Sequence, residues 1–227
     1  FTSGGTESNN WALIGTALAN QRTGKHIITT KIEHPAVSAP CEFLESQGFT
    51  VTRLGVDQEG KISLQELEEA ITPETILISV MYVNNEIGTV QSIAEIGELI
   101  KKKNPKTYFH VDAIQAYGKY RILPKKMKID MLSASGHKIH GPKGIGFLYI
   151  SDKVKIFPYI YGGGQQKGMR SGTDNVSGAA GLGKAAEIVY RNMEKNVASM
   201  TELRQYFVKE LEKLEKVVVH GPKGETC

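Results

Sequence analysis

Cysteine is scarce in this sequence. Its 227 residues hold two, Cys41 and Cys227, at no paired spacing. That excludes a disulfide framework and a zinc knuckle, and no metal site is expected. A reducing, cytoplasmic setting is the expectation. No apolar run reaches the roughly 20 residues that a membrane-spanning helix needs, and no signal-peptide pattern opens the sequence. Strong charge of one sign is lacking too, since 28 Lys+Arg against 24 Asp+Glu give a net charge of +4. The densest basic run, Lys101-Lys102-Lys103, sits in a helical pattern and reads as a solvated face. A nucleic-acid footprint is a concentrated stripe with aromatics beside it, so neither nucleic acid nor membrane is expected as a direct partner.

Familiar nucleotide and calcium motifs are missing or misplaced. Gly181-Leu182-Gly183-Lys184-Ala185-Ala186 matches G-x-G-x-x-A in form but lies inside a helical pattern with no strand before it, which argues against a dinucleotide site. No G-x-x-x-x-G-K-[ST] occurs. Asp57-Gln58-Glu59-Gly60 puts its glycine too early for a calcium loop.

What is present is ordinary globular material, 40% hydrophobic and 23% charged, enough to bury a core unaided. Apolar runs predict strands at His26–Ile32, Thr50–Leu54, Thr75–Val83, Tyr108–Asp112, Met131–Ala134 and Gly146–Ile150. Apolar residues at three- and four-residue steps predict helices at Ser8–Gln21, Ser38–Gln47, Ser63–Ala70, Ile93–Lys103, Val176–Asn192 and Val197–Leu214. The strands are short apolar runs without clean alternation, as in strands buried on both faces. That predicts an α/β fold, a mainly parallel sheet flanked by helices. Ligands of such sheets bind beyond the carboxyl ends of the strands.

The ends read as cut. Phe1-Thr2-Ser3 runs straight into a glycine-rich turn of the kind that follows a strand, and Val217-Val218-Val219-His220 reads as a strand opening a new unit. The expectation is a central segment of a longer chain.

Three loops carry chemistry. In Ser3-Gly4-Gly5-Thr6-Glu7-Ser8-Asn9-Asn10 the glycines permit a tight turn before a helix, and exposed N–H groups with the Thr6 hydroxyl would suit a phosphate. An ordinary N-cap with an acidic first turn fits equally well. In Tyr108–Gln115 a carboxylate, Asp112, ends an apolar strand, where burial requires a cation or hydrogen-bond donors. A structural Asp capping the next turn fits the same pattern. In Ser135-Gly136-His137-Lys138 a lysine follows a strand at the edge where the sheet opens. Together an anion cradle, a strand-end carboxylate and a strand-end amine are what pyridoxal 5'-phosphate (PLP) requires.

These blocks, with Glu33-His34-Pro35-Ala36-Val37, Val83-Asn84-Asn85-Glu86-Ile87-Gly88 and Arg170-Ser171-Gly172-Thr173, resemble the cysteine desulfurases, class V aminotransferase-like PLP enzymes of the type I fold. The resemblance runs in the family's order over nearly the whole chain. It implies that Lys138 forms the Schiff base with the cofactor, that Asp112 pairs with the pyridine nitrogen, and that Gln115 and Asn85 lie near the ring's phenolic oxygen. Asn85 would also help hold the substrate. His34 would stack on the ring and serve as an acid/base, although a helix-start residue packed in the core is the plain reading. Gly5, Thr6, Ser135 and His137 would hold the phosphate, or His137 would orient Lys138. Thr173 would reach the phosphate of a second subunit, which implies a homodimer. Residues 1–196 would form the PLP-binding large domain, and 197–227 the connecting helix and start of a small C-terminal domain.

The pentapeptide at His140–Gly144 recurs at His220–Gly224. Lys143 and Lys223 belong to the repeated piece, whereas Lys138 occurs only in the first context. The family's persulfide-forming loop cysteine and substrate-binding arginine have no match here. Cys41 sits in a helical pattern and reads as a core residue. The activity implied is removal of sulfur from L-cysteine, giving alanine and a persulfide for a sulfur-acceptor or scaffold protein. A selenocysteine lyase or class V aminotransferase would use the same site. A non-catalytic scaffold for sulfur-acceptor proteins is the alternative of another class.

Overall fold

The computed structural model describes residues 1–222. One six-stranded sheet organises it, in the order β2-β1-β3-β4-β5-β6. The strands are β1 (His26–Thr30), β2 (Thr50–Leu54), β3 (Thr75–Met81), β4 (Tyr108–Asp112), β5 (Met131–Ser135) and β6 (Gly146–Ile150). All neighbouring pairs are parallel except β5–β6, where β6 returns antiparallel along the edge. The mainly parallel α/β architecture expected from the sequence is the one observed. Every residue of β3 is buried, as a central strand covered on both faces must be.

Helices cover both faces. α1 (Gly5–Asn10) runs through a widened π-helical turn, Trp11–Gly15, into α2 (Thr16–Asn20). Then follow α3 (Pro35–Ser46), α4 (Leu64–Ala70), α5 (Ile93–Lys103), α6 (Val176–Arg191) and α7 (Met193–Leu211). Local chemistry sets several starts. Ser63 caps α4 by accepting from the Glu66 N–H at 3.2 Å, and Pro35 stands in the first turn of α3, where no N–H is needed. One core lies under α4 and α5, built on Ile78, Ile96, Ile100 and Phe109. A second lies under α1–α3, built on Leu13, Ile27, Cys41 and Leu44.

Gly97 lets α5 approach the chain before β5. A Cβ built there would meet the Met127 carbonyl oxygen at 2.2 Å. Gly97→Ala is expected to cost about 1–3 kcal/mol through overpacking, read as a lowered thermal midpoint.

Three expectations need correction. Lys101 is no solvated residue, because its Nζ donates to Asp130 Oδ2 at 2.6 Å and to the Thr107 carbonyl at 2.7 Å. The last helix begins at Met193, not Val197, because the break falls at Asn192, whose side chain donates back to the Ile188 carbonyl. Val217–His220 forms no strand, since a β-branched run needs a partner strand and none lies beside it among the described residues. Cys227 and Lys223 lie outside the described residues.

Candidate active site

The carboxyl ends of the central strands open onto a cavity of about 220 Å³. Gly5 and Thr6 reach it from the start of α1, His34 from the turn after β1, and Asn85 from the loop after β3. Asp112 and Gln115 come from the end of β4, and Ser135, His137 and Lys138 from the end of β5. Of the ten residues singled out in the sequence, nine therefore line a single cavity although they span Gly5 to Lys138 in the chain. Thr173 is exposed and does not line it. Ala36, Met81 and Ile114 complete the wall.

Asp112 is 1% exposed. Its Oδ2 accepts from Asn9 Nδ2 at 2.7 Å and its Oδ1 from the Ile114 N–H at 3.0 Å. Burial pushes its carboxyl above the usual range, while those two hydrogen bonds and the proximity of His34 pull the other way. Both donors are neutral, so the carboxylate faces the cavity without a formal partner charge.

His34 has a defined tautomer. Its Nδ1 accepts from the Ala36 N–H at 3.0 Å, capping α3. A neutral ring held this way carries its hydrogen on Nε2 and presents it as a hydrogen-bond donor. Across the cavity Ser135 Oγ and His137 Nδ1 are 2.8 Å apart. Burial, then the charges of Lys138 and Lys143, lower the affinity of His137 for a proton. Lys138 stands in the 3₁₀ turn Gly136–Ile139, which ends on His140 at φ 63°. Lys119 lies close enough that burial and then the Lys138 charge lower its own pKa, and its Nζ donates to the Gln115 carbonyl at 3.0 Å.

The glycine-rich loop packs tightly against the chain after β4 and brings the Gly5 and Thr6 backbone to the cavity wall. A Cβ on Gly5 would stand 2.1 Å from Ile114 Cδ1, and Gly4 sits at φ 151°. An ion pair fixes this loop from outside. Arg170 Nε and Nη2 donate to the two Glu7 carboxylate oxygens at 2.8 and 3.1 Å, and the Ser3 N–H donates to the same group at 2.9 Å. Burial raises the Glu7 carboxyl, but the hydrogen bonds from Arg170 and Ser3 outweigh it and hold the group below the usual range. Arg170 thus ties the Arg170-Ser171-Gly172-Thr173 segment to the cradle.

Two residues that sequence reasoning gave no role also matter. Asn9 positions Asp112, and its spacing from Gly5, four residues along one helix, was a usable signal. Glu33 turns its carboxyl into the protein beside His34. Cys41 is fully buried, and burial pushes its thiol up to about 12; it is inert as a nucleophile at neutral pH.

The cofactor implied by the sequence fits these residues. Asp112 offers a buried anion where a pyridinium nitrogen would need one. Gly5, Thr6, Ser135 and His137 offer a close-approach cradle, and Lys138 offers an amine. A mainly parallel sheet with such a cavity at its carboxyl edge is the large-domain architecture of PLP enzymes of the type I fold. The model of the class-V aminotransferases matches residues 1–227, and the chain belongs to that family, whose enzymes depend on PLP.

Among curated proteins, the chain is 52% identical over 224 residues to cysteine desulfurase IscS of Clostridium botulinum, covering 98% of this chain and 56% of that protein. It is 52% identical over 221 residues to cysteine desulfurase IscS of Methanosarcina thermophila, covering 97% and 54%. The chain thus spans about half the length of these relatives. Among solved structures, a NifS-like protein superposes with a TM-score of 0.94 at 42% identity, covering 97% of this chain and 60% of that one. A structure described as SspA in complex with cysteine gives 0.78 at 48% identity, covering 82% and 54%.

Proposed function

We propose that the whole protein is a PLP-dependent cysteine desulfurase, taking sulfur from L-cysteine and leaving alanine. The single observation that carries this reading is the convergence of Lys138, Asp112, His34 and the Gly5–Thr6 cradle on one cavity. The relatives named as cysteine desulfurases, and the neighbour solved with cysteine, supply the substrate class.

Lys138 is the residue that would hold PLP covalently through Nζ. Asp112 would pair with its ring nitrogen, and Thr6, Ser135 and His137 would hold its phosphate. When bound, PLP supplies an electron sink for charge developing at the substrate α-carbon. Lys138 Nζ then serves as the base that removes and returns the α-proton, and the His34 Nε2–H serves as a hydrogen-bond donor to the reacting groups. Asn85 and Gln115 supply amide hydrogen bonds to orient the reactants. The sulfur is transferred to a thiolate other than Cys41, whose buried thiol stays protonated, and from there to a sulfur-acceptor or scaffold protein.

The exposed Thr173, held through Arg170 to the cradle, is read as a contact to a second copy, so the working form is a homodimer. Residues 1–196 act as the cofactor-binding domain and 197–227 as the link to a smaller one. The setting is cytoplasmic. The test is the full-length protein incubated with PLP, L-cysteine and a reductant. Equal yields of sulfide and alanine are expected, and production of neither would overturn the proposal.

A further inference from the structure

Glu33 is a buried carboxyl that this mechanism does not use. Its Oε1 accepts from Thr30 Oγ1 at 2.8 Å and from the Met81 N–H at 2.9 Å. Thr30 is the last residue of β1 and Met81 the last of β3. One oxygen therefore ties together the ends of two adjacent parallel strands at the edge where the cavity opens. The other oxygen, Oε2, is buried and without a partner among the described residues.

That asymmetry has a chemical meaning. A carboxylate divides its charge over both oxygens, and leaving one of them dry and unpaired is costly. A neutral carboxyl group instead has one carbonyl oxygen able to accept two hydrogen bonds. Either form leaves Oε2 without a partner among the described residues, but an unpaired buried hydroxyl costs far less than an unpaired buried charge, so the arrangement at Glu33 suits the neutral form. Its surroundings agree: burial first, with the Asp112 charge adding to it, pushes the group up to about 8 against the hydrogen bonds from Met81 and Thr30. The titratable groups that bear on it are Asp112 from β4 and, from α3, the Cys41 thiol, itself neutral.

What Glu33 braces is part of the site. Met81 and His34 both line the cavity. His34 has an extended backbone, φ −63° and ψ 149°, so the adjacent side chains of Glu33 and His34 diverge. With Glu33 anchored inward, His34 is presented outward to the cavity. A second tie acts on the same turn, where Asn84 Nδ2 donates to the Ile32 carbonyl at 2.8 Å. Asn84 immediately precedes Asn85, another cavity residue.

We propose that Glu33 is a positioning residue, a neutral carboxyl that clamps the ends of β1 and β3 and thereby sets His34 and Met81 in the cofactor cavity. This rests on the reading of the cavity as a PLP site. The test uses the full-length protein and its Glu33→Ala and Glu33→Gln variants, and it has two readouts. The first is the dissociation constant for PLP, from titration of the cofactor-free proteins. Glu33→Ala is expected to weaken binding at least about tenfold. Glu33→Gln, which keeps the accepting oxygen, is expected to restore it to within about threefold of the parent.

The second readout needs no cofactor. A carboxyl raised from its ordinary 4.5 to about 8 holds its proton in the folded state after the unfolded chain has released it. Stability is unaffected below the unfolded value and is lost progressively as pH rises toward the folded one. Glutamine cannot titrate. The thermal midpoint of cofactor-free Glu33→Gln minus that of the parent is therefore expected to grow by at least about 2 °C from pH 5 to pH 8.

A Glu33→Ala variant that binds PLP like the parent overturns the clamp. A Glu33→Gln variant as impaired as Glu33→Ala overturns the neutral form, and so does a difference in midpoints that is flat with pH. Should Glu33→Ala not fold, Glu33→Gln and the pH series decide. Should the parent itself bind no PLP, the reading of the cavity fails, whereas the pH series still judges the carboxyl.

Discussion

Lys138→Ala in the full-length protein is expected to abolish the visible absorbance of covalently held cofactor and to collapse desulfuration. The loss of proton transfer alone accounts for roughly 10²- to 10⁴-fold in rate, and the loss of covalent attachment adds to it. The expectation comes from position. Lys138 lines the cavity at the end of β5, in the turn Gly136–Ile139, and shares the cavity with the buried carboxyl of Asp112. Lys143 provides the contrast: it is exposed and belongs to the pentapeptide that recurs at His220–Gly224, so Lys143→Ala keeps the absorbance band. Spectra of the parent and both variants, recorded after dialysis against excess PLP, check this. A band that survives Lys138→Ala would refute the assignment of the attachment lysine.

Asp112→Asn is expected to act in opposite directions on binding and on stability. Removing the charge opposite a pyridinium nitrogen should cost about 2–4 kcal/mol of cofactor binding, or roughly 30- to 1000-fold in Kd. The cofactor-free protein should become more stable. Asp112 has its carboxyl raised by burial, so the folded state loses stability as pH rises through that raised value, and asparagine has no such liability. The replacement fits without strain. The side-chain oxygen that remains in Asp112→Asn can keep accepting from the Ile114 N–H. The new amide group can donate to Asn9, whose buried Oδ1 lacks a partner among the described residues and becomes the acceptor when the Asn9 amide turns over. Thermal midpoints of the two cofactor-free proteins at pH 5 and pH 8, with PLP titrations alongside, give the test. A variant that binds PLP like the parent would remove Asp112 from its role.

Much of the fold is legible in the sequence because parallel strands declare themselves by composition. β2, β4 and β6 begin and end where their apolar runs do. The apolar pattern overruns β1 and β3, to Ile32 and Val83. Apolar character continues past Thr30 and Met81, but the chain turns there to build the site, held by Glu33 and Asn84. The same kind of reading starts the first helix at Ser8, three residues late, because glycines next to Thr6 look like a loop whether or not a helix has begun. The identities of the cavity residues are legible one block at a time. Their convergence is not, since it depends on strand order, which no local pattern states. The roles of Asn9 and Glu33 are hidden for a related reason: which way a polar side chain turns, and what it meets when buried, is decided by tertiary packing.

His110 lies two residues before Asp112 on the same face of β4. Its ring spans the sheet, with Nδ1 2.8 Å from Ser79 Oγ on β3 and Nε2 2.9 Å from Ser133 Oγ on β5. Burial holds it down to about 3 from its ordinary 6.5. Between those values the unfolded chain takes up a proton that the folded one refuses, so acidification draws stability out of the sheet. Glu33 does the reverse as pH rises from 4.5 toward about 8. The strand ends that carry the site thus lose stability in both directions, and the mildly acidic range from 4.5 to 6.5, where one loss grows as the other shrinks, is where the cofactor floor stands firmest.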